Sequence, residues 1–376
     1  MKQRLLILGL VCVLTACPTT ANPPVETITQ LNVSSTTGSD SNPGSIDKPF
    51  KTIKKALTLV SSGQTINLLA GIYDAASGET FNYSVPNGVT IKANSSGVVL
   101  QGNSSQDGFE FLGAASVQYL TFKGFRTATA TATAGTGDVT LLGLRLQSLG
   151  LGGQQIGIWH SSNSEMLVKD CVFEGPHHDA IIVTGQKDGS FRSRLVVQGG
   201  SITGPAQSSI NSDHADLTIS NLEEKNTGYG LYMNVAVSAV ITGVKFGPNS
   251  FYGIASYGNG NKLKVRSSQF LNNQAAVYAK GDFLEIDLGQ SDTIDAGANA
   301  FKGSTSHGIW VDNTDLSGNR TIYAAGNEWE ANIQGSDSTG RFKNSDPPVC
   351  SSSKPLPGLN YRINVTDGKP LLCLKL

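Results

Sequence analysis

Small residues followed by an apolar residue recur along the second half of the chain. They begin Gly157-Ile158-Trp159, Ala180-Ile181-Ile182, Ser209-Ile210-Asn211, Gly230-Leu231-Tyr232, Gly253-Ile254-Ala255, Ala276-Val277-Tyr278 and Gly308-Ile309-Trp310. Successive starts lie 23, 29, 21, 23, 23 and 32 residues apart. A base period of about 23 with two longer members describes a coil whose loops vary at one corner. Within the units a second pattern returns, as in Met166 to Phe173, Leu217 to Leu222, Val240 to Phe246 and Leu263 to Phe270. Apolar positions alternate up to an Asp, Asn, Gly or Ser and then resume, the mark of strand, tight turn and strand. Asn and Gly suit the left-handed backbone of such a turn. Each unit therefore reads as three short strands with inward Ile, Leu and Val ladders. No unit buries its apolar face alone, so stability comes from stacking.

On these residues the chain resembles the right-handed parallel β-helix of the pectin lyase-like superfamily, over roughly residues 50 to 335. The resemblance implies an all-β, single-stranded parallel β-helix and supplies its handedness. Residues Gly38 to Gly44, Lys48 to Leu57 and Gly63 to Tyr73 are similar to an uncharacterised bacterial domain that opens such helices. Phe50, Ile53, Leu57 and Val60 share one helical face after Asp47, a candidate N-cap. The expectation is a capping helix over the first coil, hiding edge strands that would otherwise pair with other chains. The expected organisation is 32–110 as cap and first coils, 111–335 as repeats and 336–376 as a C-terminal cap. Thr127 to Ala134 alternates Thr and Ala and reads equally as an outward strand or a loop.

Composition agrees with an exported all-β protein. Of 376 residues, 43 are Gly and only 15% are charged, with a net charge of -1. Such a chain is too apolar for disorder and too neutral for nucleic-acid binding, which needs a basic face. Lys2 and Arg4 precede an apolar run from Leu5 to Leu14, the length of a secretory signal and too short to span a bilayer as a helix. Leu14-Thr15-Ala16-Cys17 resembles the bacterial lipoprotein signal. That resemblance implies removal of 1–16, a lipid on Cys17, a flexible tether over 17–31 and a place in the cell envelope. The rival reading is an ordinary signal peptide with a chance Cys. Cys350 and Cys373 are expected to close a disulfide loop in an oxidising envelope. Cys171, inside a strand pattern, reads as a buried core thiol.

With the residue after each small one pointing inward, the second and fourth residues point outward. The outward set contains Trp159, Tyr232, Tyr278 and Trp310 in one row and Asp213, Asn234, Tyr257 and Lys280 in another. Rings beside amides and carboxylates suit a sugar-binding groove, since pyranose C–H faces pack on rings while polar neighbours bond hydroxyls. In the family resembled, substrate clefts lie on this first sheet. The plainer reading is that aromatics favour strands and lie flat under loops.

Catalysis needs a constellation that the outward rows do not supply. Asp213 and Asp312 stand four rungs apart, about 19 Å at roughly 4.8 Å per strand, too far for a glycosidase pair. Lys280 and Asp312 occupy adjacent rungs without further carboxylates, so they read as a surface ion pair. His177, His178 and Asp179 form the fallback acid–base group, on the corner before a strand of the same face. Asp213-His214 lies at the other end of its strand, His160 falls on an inward position, and His307 is rungs away. No phosphate loop, metal-ligand spacing or nucleophile elbow is present, so neither metal nor cofactor is expected. Three functions remain open: a glycan-binding envelope protein; a carbohydrate-active lyase, hydrolase or epimerase using the same face; and a structural or adhesive spacer.

Overall fold

The computed structural model describes residues 29–148, 155–205, 207–281, 283–290, 294–305, 307–312, 321–324 and 326–329. The expected signal, the expected lipidation site Cys17, the expected Cys350–Cys373 pair and the expected 336–376 cap lie outside them. The described chain is a parallel β-solenoid whose strands stack in register on three faces. The first face carries the repeats, from Tyr83–Val85 through Ile156–His160, Asp179–Thr184, Ser208–Asp213, Tyr229–Met233, Tyr252–Ser256 and Ala275–Lys280 to His307–Asp312. The second runs from Gln30–Val33 to Thr321–Tyr323, and the third is an eleven-stranded sheet from Gly71–Tyr73 to Glu328–Trp329. Two long strands, Asp107–Gln118 and Thr127–Leu142, bend to serve both first and second faces. The stack is thus continuous through residue 110, and the Thr/Ala tract is a rung of the first face rather than a loop.

Turns between second and third faces share one solution. Tyr119, Gly143, Asp170, Gly199, Asn221, Gly243, Ser267 and Ala298 all have φ between 50° and 69°. Except after Gly199, where Gly200 has no side chain, the residue that follows points into the bore, giving a buried column of Leu120, Leu144, Cys171, Leu222 and Val244 that ends in Ser268 and Asn299. Cys171 is a member of this ladder, and burial pushes its thiol up to about 11. Where the column turns polar, Ser268 Oγ accepts from Val244 N at 3.1 Å, and Asn299 Oδ1 from Ser268 N at 2.9 Å.

Third-face strands fill the bore with rings. Phe246, Phe270 and Phe301 stack at centroid distances of 5.0 and 4.9 Å. The rings explain the small residue that opens each repeat. It also points inward, and a Cβ on Gly253 would stand 2.7 Å from Phe270. Two consecutive inward residues shift the strand's parity, so the residue before the small one faces outward as well.

The N-terminal cap differs from expectation. The helix is Ile53–Leu57, and its N-cap is Thr52, whose Oγ1 accepts from Lys55 N at 3.1 Å. Asp47 is exposed and caps nothing; Asp40 instead holds Thr52 through its N–H and hydroxyl. Phe50 lies outside the helix and bridges Val33, where Phe50 N donates to Asn32 O and Ser34 N to Phe50 O. The edge of the first strand is therefore covered by an extended segment, while Ile53 and Ala56 pack into the core beside it.

Candidate functional site

Three zones succeed one another along the outer first face. The lowest is a cleft of about 750 Å³ lined by Asp107, Glu110, Arg126, Ala130 and Trp159 among others. Glu110, Ala130 and Trp159 stand in one register column, so the methyl of Ala130 leaves the gap between a carboxylate and an indole. Trp159 keeps 44% of its surface exposed. Arg126 grips both oxygens of Asp107, its Nε at 2.9 Å from Oδ1. Asp107 and Glu110 are three residues apart on one strand, about 10 Å at roughly 3.3 Å per residue. With Asp107 held by Arg126, Glu110 is the cleft's remaining carboxylate.

The middle zone is a polar chain climbing three rungs. His178 Nδ1 lies 2.9 Å from Asp179 Oδ2, which also accepts from Asn211 Nδ2 at 3.4 Å. Asn211 Oδ1 in turn accepts from Asn234 Nδ2 at 3.0 Å. Asp179 is only 1% exposed, and its Oδ1 has no hydrogen-bond partner among the described residues. His178, with 35% of its side chain exposed, is the only member of the His177-His178-Asp179 group that a ligand could meet freely. His177 turns inward, edge-on to Phe173 at 6.5 Å with Nε2 near Leu146 O; burial lowers its pKa and keeps the ring neutral. These three residues therefore do not converge on a surface site. Asp213 binds His214 Nδ1 at 3.0 Å and Val235 N at 3.2 Å, apart from the chain that holds Asn234. His160 is inward as its parity requires, between Thr131 and Ser164, with its pKa lowered to about 4 by burial.

The upper zone is aromatic. Tyr232 and Tyr257 stack at 4.9 Å, and Tyr252 and Tyr278 at 4.5 Å. Tyr229 touches Tyr232, Tyr252, Tyr257 and Phe251 with centroids 5.1 to 6.4 Å away. Tyr278 faces outward in register, yet only 4% of it is exposed because Tyr252 and Tyr257 cover it. It is a floor for this patch rather than a contact surface. The hydroxyls of Tyr257 and Tyr232 are raised, first by burial and then by the neighbouring Tyr229. The backbone of Trp310 continues the column above Tyr278, and Lys280 stands in register with Asp312.

Sequence reasoning passed over Tyr229, Tyr252 and Asp107, which precede the small residue or its equivalent, because it counted outward positions only from that residue onward. It also passed over Glu110, although Gly108-Phe109 repeats the small-apolar signature two rungs before the first aligned repeat, and Ala130, whose rung has Thr129 in the apolar place. Their alignment with Trp159 becomes visible only in the register. Among the described residues, no group of three or more His, Cys, Asp or Glu is placed to hold a metal ion.

A solved rhamnogalacturonan lyase superposes with a TM-score of 0.54 at 12% identity, over 79% of this chain and 87% of its own. A lacto-N-biosidase from Eubacterium ramulus superposes with a TM-score of 0.56 at 11% identity, over 80% of this chain and 68% of its own. At such identities the likeness is one of fold, the right-handed parallel β-helix. No curated protein matches the sequence. Over residues 36–334 the sequence matches the proteins of unknown function grouped as DUF1565, and the chain belongs to that family.

Proposed function

We propose that this protein binds a polysaccharide or glycan lengthwise along its outer first face, held at the cell envelope by a lipid on Cys17. The observation that carries the reading is the exposed indole of Trp159 in the wall of a 750 Å³ cleft, on the same face as the rings of Tyr232 and Tyr257. Apolar ring faces flanked by His178 and the Asn211–Asn234 pair offer a sugar both stacking and hydrogen-bonding partners. Support also comes from the fold, since two solved structures that share it are by name a rhamnogalacturonan lyase and a lacto-N-biosidase. The fold by itself does not assign function.

One observation favours a second reading, catalysis. His178 is oriented by a buried carboxylate, the arrangement of a general base and its positioning group. A glycan-array screen of the soluble chain, followed by mass spectrometry of each ligand after prolonged incubation, separates the two. Intact bound glycan supports the binding module. Shortened or unsaturated products that disappear with His178→Ala establish an enzyme, and a folded protein that retains no glycan refutes both. The anchor is tested by fractionation: Cys17→Ala should move the protein from membranes to the soluble fraction, and an unchanged membrane share would refute the lipid.

A further inference from the structure

The cleft's charge narrows the ligand class, and the argument rests on the glycan-binding reading. Arg126 and Asp107 neutralise each other. The Glu110 side chain is exposed and makes no ion pair or hydrogen bond with any described residue. The cleft therefore presents one uncompensated negative charge, about 10 Å across Ala130 from the Trp159 column position at two strand spacings. Farther up the face the acidic residues at described strand positions are Asp179, Asp213 and Asp312, and Lys280 is the one Lys or Arg among those positions. A uronate or sulfated polymer laid along this face would meet repulsion at Glu110. A protonated amine would instead make a charge-assisted hydrogen bond from its N–H to the carboxylate.

We infer that the Glu110, Ala130 and Trp159 cleft is a subsite for an amine-bearing hexosamine unit of a glycan. The gap over Ala130 admits the sugar ring, Trp159 takes its C–H face, and Glu110 takes its ammonium group. Acetylation of the nitrogen would remove the charge and enlarge the substituent, weakening the fit on both counts.

The test is calorimetric titration, at mildly acidic pH and low salt, with three oligosaccharides of equal length: glucosamine, N-acetylglucosamine and galacturonate. The glucosamine oligomer should bind tightest and the galacturonate oligomer weakest. Glu110→Gln should weaken glucosamine binding about tenfold, the size expected for loss of one charged hydrogen-bond partner, and flatten its salt dependence. Because Glu110 is exposed, the variant's melting temperature should match that of the wild type. Equal affinity for the acetylated oligomer, or Glu110→Gln without effect on binding, would overturn the amine assignment. If Trp159→Ala still weakens a neutral glycan in that case, the groove itself stands. If none of the three sugars nor any array glycan is retained, the groove falls with it.

Discussion

Glu224 occupies a place in the bore that its neighbours give to apolar side chains. Its register partners are Ile202 below and Phe246 above, and none of its surface is exposed. Asn249 Nδ2 donates to one carboxyl oxygen at 2.7 Å and Ser209 Oγ to the other at 3.3 Å, but burial dominates and raises its pKa to about 8. The folded state thus retains a proton that the unfolded chain, with a pKa near 4.5, has released. Stability is full below that lower value, falls as pH rises, and loses this contribution once pH passes about 8. The slope is at most about 1.4 kcal/mol per pH unit. Glu224→Gln keeps the shape and removes the titration, so its melting temperature should exceed that of the wild type at mildly alkaline pH and converge with it at acidic pH. Parallel melting curves across that range would contradict the assignment. The sequence hides this residue, since Glu223-Glu224-Lys225 reads as a solvated charge run and only the stacking reveals its middle member as inward. The same limit hid Tyr229 and Tyr252, whereas Trp159, followed by an inward His160, was legible from period two alone.

At the scale of elements, the strand, turn and strand unit was the most readable part of the molecule. Its signal is local: alternation sets the strands, and one residue in the left-handed region sets the turn. Gly243 illustrates the constraint. It has φ 65°, and a Cβ there would stand 2.8 Å from Asn221 Oδ1 in the turn below. Gly243→Val should therefore lower stability by about 1 to 2 kcal/mol, measured by urea denaturation, with no change in the far-ultraviolet strand signature. An unchanged midpoint would mean that the turn has another conformation. The cap was less legible because its edge is covered through tertiary bonds. Asp40 reaches Thr52 and Phe50 reaches Val33 across many residues, and neither contact follows from helical periodicity.

For the whole molecule, the stack converts a weak sequence repeat into a continuous outer face on which distant segments become neighbours. Glu110 and Trp159 are 49 residues apart in sequence and two rungs apart in space. A solenoid achieves this without a separate domain, since each coil adds one row to a surface already formed. The face then reads upward as acidic cleft, polar chain and aromatic patch, a linear order suited to an extended ligand. The most direct measurement of that claim is the affinity of the best array glycan for wild type, Trp159→Ala and Tyr232→Ala, with melting temperatures recorded in parallel. Both variants should bind about tenfold more weakly, the effect expected of an aromatic anchor, with Trp159→Ala as stable as wild type. Full affinity in both folded variants would contradict the groove.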